Sequence, residues 1–472
     1  MSITEGKIHA GRWAVRAVAA GILAVMLTAC VGGGNENGVG GGAGSDGPVT
    51  IKLWRTFDSS EVFQPIIEDF EEDNTNITIE YTELPIEEYE LVVSEALAAG
   101  EGPDIWSVRN DWLPRHQAKL IPMPEGLLKS SDAETKTDEE LLQALFVPTV
   151  ASDVLFDGRV YGLPYYVDSL VIWRNDAVFQ SRIQEFEKAD RDKDADFLRE
   201  KFTTWDELER AVQLLTERSG EAITVAGIAA GTSNNVERAE DAVYAMMLQN
   251  GTQMVSPERT SATFHLGVKD QVGQTTFLGT QALERYTAFA DPAKPQYAWN
   301  ATMPPDVQAF IDGKVAMIFG YQYYGLRFKQ LAPTLKATAM SLPQVRDSAE
   351  PVDYPQYWVE TVTKNAKNPE LAWRIVKNLV VDRGSSYRTA TGRPSPNKVE
   401  EPPTVLERTD QGSPFSFQQE TAQSWYKGKR PDKTDAIFRD LIQRVGTRSQ
   451  SSQNAIEEAA QRITELLQAQ AQ

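Results

Sequence analysis

Residues able to make or break bonds are scarce in this chain. Three histidines (His9, His116, His265) and one cysteine (Cys30) are spread over 472 residues. A Ser-His-Asp or Cys-His arrangement has little to draw on. There is no His-Glu-x-x-His, no phosphate-binding Gly-Lys-Ser/Thr and no Gly-x-Ser-x-Gly. Asp190, Asp192, Asp194 and Asp196 mimic the start of a calcium loop, but Ala195 takes the obligatory glycine position and Lys201 the closing glutamate. No metal site and no cofactor are therefore expected. What remains is binding chemistry. Carboxylates and amides accept and donate hydrogen bonds, and aromatic planes cover apolar faces. Asp58 and the run Asn110-Asp111-Trp112 are the first such groups, each just after an apolar segment.

Those groups need a frame. Val49, Ile51 and Leu53 alternate with polar neighbours, which predicts a strand. Asp58 or Ser60 then caps a helix whose apolar face is Val62, Ile66 and Phe70, with Phe63 and Ile67 alongside. Alternation returns at Ile77, Ile79 and Tyr81. Strand, helix and strand in so short a span make a βαβ unit, hence a parallel sheet covered by helices. Such sheets bind ligands at the carboxyl ends of their strands, where the loop Arg55 to Ser59 falls. Thr204-Trp205-Asp206-Glu207 predicts a capping box for a helix through Leu215. Ser256-Pro257 and Asn368-Pro369 each pair a cap with proline at the first helical position. Ile456, Ala460, Ile463 and Leu467 mark a final amphipathic helix, 181–202 reads as a charged surface insertion, and 394–414 as a Pro-rich connector. No internal repeat is visible.

The start of the chain reads as an address. Lys7, Arg12 and Arg16 precede an uncharged stretch, Ala17 to Met26, too short to span a membrane. Leu27-Thr28-Ala29-Cys30 resembles the lipobox of bacterial lipoproteins, which implies a signal peptide over 1–29 and a lipid on Cys30. Nine of the 17 residues in 31–47 are glycine, so 30–47 reads as a flexible tether, holding the body about 20–25 Å from its anchor. Its Gly-x-Gly spacings lack the strand and helix of a dinucleotide site. The chain carries −20 at pH 7, of which +2 sits in the first 29 residues, leaving −22. That balance argues against nucleic acid and anionic lipid surfaces. With Cys30 the only thiol, the body folds without internal disulfides.

Four segments, in order, resemble the family 1 extracellular solute-binding proteins of ABC importers, which include the maltose- and oligosaccharide-binding proteins. They are ALAAGEGPDIWSVRND, with Gly102-Pro103-Asp104-Ile105; DGRVYGLPYYVDSLVIWRND; AFIDGKVAMIFG; and KNAKNPELAW. The similarity runs from about Val49 to the C-terminus. It departs at Trp173-Arg174-Asn175, where the family has Tyr-Asn, and at the Asp-rich insertion. The resemblance implies an α/β fold of the periplasmic-binding-protein type II kind, two lobes joined by a hinge with a ligand cleft between them. Lobe one would be 48–168 completed by 359–395, and lobe two 169–358 completed by 396–472. Crossings would fall near Val167–Val171, Tyr354–Trp358 and Thr391–Pro396. The expected protein is a lipid-anchored, extracytoplasmic monomer on the periplasmic face or cell surface. It would capture a small polar solute, a sugar or oligosaccharide, and deliver it to permease and ATPase subunits without performing chemistry.

By the same resemblance Asp168 is a ligand-facing acid, and Tyr323, Trp358 and Trp425 are stacking rings. With Asp58, Asn110, Asp111, Trp112 and Tyr166 they form the expected site. Each has another possible employment. Asp58 could cap a helix, Asn110 and Asp111 could form a turn, and Tyr323 and Trp425 could pack in a core. Tyr165 and Tyr166 alternate, so at most one faces the cleft. Carboxylates with aromatics also suit a polyamine or other cation. Two carboxylates would suffice for a secreted glycoside hydrolase, though no series of eight βα units is visible.

Overall fold

A computed structural model describes residues 47–129, 135–269, 273–346, 350–398 and 413–469. Cys30, the signal segment 1–29, the tether up to residue 46 and most of the 394–414 connector lie outside the described residues.

The first elements are β1 (Val49–Arg55), α1 (Ser60–Asp73), β2 (Ile77–Glu83), α2 (Ile86–Ala99), β3 (Ile105–Arg109) and β4 (Leu120–Ile121). After them come β5 (Asp168–Ser169), β6 (Val171–Asn175), α3 (Asp176–Lys188), α4 (Asp192–Arg199), α5 (Trp205–Leu215) and α6 (Ala239–Gln249). Next are β7 (Met317–Gly320), α7 (Tyr323–Leu331) and β8 (Ala337–Met340). The chain continues with β9 (Pro355–Gln356), β10 (Trp358–Thr363), α8 (Pro369–Lys377), α9 (Gly384–Thr391), α10 (Pro431–Gly446) and α11 (Ser452–Gln468).

One sheet has the order β2-β1-β3-β10-β4, with Leu163–Pro164 also on β10. β1 runs parallel to β2 from Val49 opposite Ile77 to Arg55 opposite Glu83, and parallel to β3. This is the βαβ unit that the alternation predicts. Ile51 and Leu53 point inward because their side faces α1, which buries Phe63, Ile66, Ile67 and Phe70. Val62 is only half-buried. The predicted cap is not made: Ser59 occupies the cap position and no side chain closes it. β10 enters antiparallel between β3 and β4, so the sheet is mixed. The second sheet, β7-β6-β8, is antiparallel. Neither sheet closes into a barrel.

The buried apolar residues form two separate cores. One draws on Ile51 to Val167 and Tyr357 to Tyr387; the other on Leu170 to Leu342, Tyr354 and Trp425 to Leu467. The chain therefore passes between cores within 167–170 and again within 354–357. At that place β5 and β9 pair with each other, Ser169 opposite Pro355 and Asp168 opposite Gln356, and Leu170 N–H donates to the Tyr354 carbonyl. The result is a narrow two-stranded ribbon between two α/β lobes.

Local signals fare unevenly. The capping box forms: Glu207 N–H donates to Thr204 Oγ1 at 3.3 Å and Thr204 N–H to the Glu207 carboxylate at 3.1 Å. Asn368 caps α8, and α11 buries Ile456, Ala460, Ile463 and Leu467. Ser256-Pro257 opens no helix. Val255 bridges Ala262, and the intervening residues turn tightly, with Arg259 at φ 58°. The 181–202 segment is also more than a surface insertion. Its two helices, α3 and α4, bury Ile183, Phe186, Ala195 and Leu198 against the second core.

Removing the Thr204 cap tests how much local chemistry holds this lobe. Thr204→Ala should lower unfolding stability by about 1 kcal/mol in urea titration. No change would mean that packing alone fixes the start of α5.

Candidate ligand-binding cleft

Between the two cores, against the ribbon, lies a cleft of about 720 Å³. Phe57, Ile86, Arg109, Tyr166 and Trp358 come from the first lobe and Tyr321, Tyr323, Leu326, Arg238 and Arg327 from the second, with Asp168 and Gln356 on the ribbon. That volume suits a small-molecule site, as does its mixture of aromatic planes and a few polar groups. Of the expected residues, Tyr166, Asp168, Tyr323 and Trp358 share this cleft.

Asp168 is buried, and both of its carboxylate oxygens accept the Gln322 backbone N–H, at 3.1 and 2.9 Å. Gln322 directly precedes α7, so the acid ties the ribbon to the second lobe. Burial pushes its carboxyl up to about 7, against the Gln322 N–H and the charge of Arg393. Tyr323 stacks on Tyr321 with centroids 6.4 Å apart, and its hydroxyl accepts from Arg238. Tyr166 carries the Arg393 guanidinium 4.3 Å above its ring. Its neighbour Tyr165 packs in the core against Tyr387. Trp358 closes the first-lobe wall, with Phe57, Tyr89 and Trp112 meeting it edge-on at 5.7, 5.7 and 5.3 Å.

The other expected residues sit elsewhere. Trp112 lies outside the cleft lining and supports Trp358. Asp58 is buried behind the cleft, where it accepts from Arg55 at 2.9 Å, Tyr387 at 2.9 Å and Arg393 at 3.1 Å. Burial opposes its ionisation, yet Arg393 and Arg55 prevail and hold it below the usual carboxylate range. Asn110, Asp111 and Trp425 line a separate cavity of about 90 Å³. There Asn110 donates to Asp153 at 2.9 Å, and Asp111 is paired with Arg109 and, at 3.3 Å, with Lys427. Trp425 packs on Tyr244 and Phe438 in the second core, with its indole N–H buried and without a partner.

Sequence reasoning missed Phe57 and the arginines. Phe57 is 53% exposed beside Trp358, and its φ is 72°, a left-handed backbone that a bulky residue seldom adopts. Strain of this kind clusters at ligand sites. Its signal was adjacency to Asp58 in the strand-end loop. Arg393 lies in a predicted crossing, but nothing local marks Arg238, whose position depends on where α6 begins.

Two α/β lobes joined by a ribbon over such a cleft define a binding protein of the periplasmic type II class. The family model for the bacterial extracellular solute-binding protein matches residues 56–384, and the chain belongs to that family. A binding protein of Brucella abortus (strain 2308) is 22% identical over 318 residues, covering 67% of this chain and 68% of the relative. Among solved structures, the cyclic alpha-maltosyl-1,6-maltose binding protein of Arthrobacter globiformis superposes with a TM-score of 0.69 at 16% identity, over 90% of this chain and 100% of that one. A sugar-binding protein from Xanthomonas citri gives 0.68 at 18% identity, over 89% and 97%. An ABC transporter solute-binding protein from Thermotoga lettingae, bound with alpha-D-tagatose, gives 0.62 at 20% identity, over 89% and 99%.

Asp168 generates a pH prediction. A carboxyl raised in the folded state contributes stability that is complete below its unfolded value near 4 and lost as pH rises through about 7. Asp168→Asn removes that titration. The variant's stability relative to the parent should therefore rise between pH 5 and pH 8, by about 1 kcal/mol or more. Urea midpoints at the two pH values measure it, and a constant difference would sink the assignment.

Proposed function

We propose that this chain captures a sugar or oligosaccharide in the cleft and hands it to the permease of an ABC importer, remaining chemically inert towards its cargo. The observation that carries the reading is the cleft itself. Phe57, Trp358 and Tyr323 offer aromatic surface, with polar groups between them, which is the combination that a ring with hydroxyl edges and C–H faces requires. The sugars named for the Arthrobacter and Thermotoga proteins, and the sugar-binding description of the Xanthomonas one, support it. A cationic solute such as a polyamine fits less well, since four arginines and three acidic residues line the cleft. Hydrolysis is also disfavoured, because Asp168 and Glu237 are both already engaged, by Gln322 and Arg327.

The lobes close on the ligand by bending at the ribbon, because contacts from both walls favour the closed state. The working form is a monomer, and a lipid on Cys30 holds it at the outer face of the membrane. Fluorophores on opposite lobes should approach when a sugar found by thermal-shift screening is added. An unchanged separation at saturation would refute closure, and a Cys30→Ser chain that still takes up labelled palmitate would refute the anchor.

Phe57 separates ligand contact from structure. Asparagine tolerates the left-handed backbone, so Phe57→Asn should hold or raise stability. It should also weaken sugar binding about tenfold, through lost area and stacking worth roughly 0.5–1.5 kcal/mol. Calorimetric titration with the screened sugar reads the affinity, and an unaltered value would remove Phe57 from the site.

A further inference from the structure

We infer that the solute is an acidic sugar, whose carboxylate is received by the guanidinium groups of Arg393 and Arg238. The inference rests on the sugar reading above and narrows it.

The argument is an imbalance of donors over acceptors. Arg109, Arg238, Arg327 and Arg393 all line the cleft. Three of these guanidinium groups line the cleft while their counter-charges, Asp111, Asp241 and Asp58, lie outside that lining. Arg238 gives one N–H to the Tyr323 hydroxyl and lies 3.4 Å from the Tyr324 hydroxyl and 3.6 Å from Asp241. Arg393 has a side chain only 8% exposed, gives one N–H to Asp58, and keeps its Nε buried with no hydrogen-bond partner. A buried charged donor seldom stays unsatisfied, because the loss of its water is not returned.

Two of the three carboxylates in the same cleft are occupied, and the third, Glu87, is exposed. Both oxygens of Asp168 take the Gln322 N–H, and both oxygens of Glu237 take Arg327, at 2.7 and 3.0 Å. A neutral sugar hydroxyl brings a donor with each acceptor and finds few partners for the donor. A polyamine brings donors alone. A carboxylate brings acceptors alone, and its planar pair of oxygens matches the guanidinium fork.

Calorimetric titration of the full chain decides the matter. The panel pairs each acid with its neutral counterpart: glucuronate with glucose, galacturonate with galactose, and oligogalacturonates with galacto-oligosaccharides, with one sulfated sugar added. At least one uronate should bind tenfold or more tightly than its counterpart, and that preference should shrink in high salt. Arg393→Lys keeps the charge but loses the fork, and should weaken the uronate at least tenfold more than its neutral counterpart. Arg238→Lys gives the same readout should the Arg393 variant fail to fold. Neutral members binding as well as the acids would overturn the inference and leave the sugar reading standing. A sulfated sugar binding more tightly than every uronate would overturn the carboxylate. No binding by any member would overturn the sugar reading and this inference together.

Discussion

Arg55 is a guanidinium buried at the end of a parallel strand, and the ligand face is assembled around it. Its side chain is 2% exposed and is held by Asp58 and Glu360, with the rings of Phe63, Tyr165 and Tyr387 packed about it. Taking such a charge out of water costs several kcal/mol, which the two ion pairs and the surrounding rings offset, although its Nε stays buried without a hydrogen-bond partner. Those partners come from the adjoining loop after β1, from β10 and from α9, so one side chain ties the strand end to two distant parts of the chain. Asp58 in turn holds Arg393, and the loop it closes forces Phe57 into the cleft. The ion cluster beneath the surface and the aromatic and guanidinium surface above it are one construction.

The second lobe meets the first through polar contacts, among them Lys427 with Asp111 and Ser424 with Asp153. Gln322 donates its backbone N–H to Asp168 and its side-chain amide to the Gly392 carbonyl, and on another side Arg115 reaches the Lys429 carbonyl and the Asp432 carboxylate. Each core is apolar and closed on itself, whereas the contacts between lobes are polar. Polar contacts exchange with water at little net cost, so lobe separation is far cheaper than unfolding either core.

Much of the frame was legible in the sequence. The alternation at Val49, Ile51 and Leu53, the helical spacing at Phe63 to Phe70 and the Thr204 capping box are local signals, and each formed what its period or chemistry dictates. The order of the motifs was enough to indicate the type II fold. The site was legible only in part. Asp58 sits where the strand-end rule puts a ligand group, yet it turned inward, because Arg393 and Tyr387, which join Arg55 around it, lie too far along the sequence for their approach to be seen. Trp358 follows the cleft since its strand is fixed in register by β3. Trp425 belongs to the second core, packed on Tyr244 and Phe438. Side-chain direction at a loop depends on partners hundreds of residues away, and periodicity carries no information about them.

The ribbon at Asp168–Ser169 and Pro355–Gln356 is two residue pairs long. A ladder that short is stiff against sliding along its strands, because its hydrogen bonds would have to break, and compliant against bending out of its own plane. Rotation about one axis is thus soft while translation is hard. The angle between the lobes becomes a single mechanical coordinate that small forces can move. Under the proposed function, a membrane partner needs to sense only that angle to register cargo, and never has to touch the cargo itself.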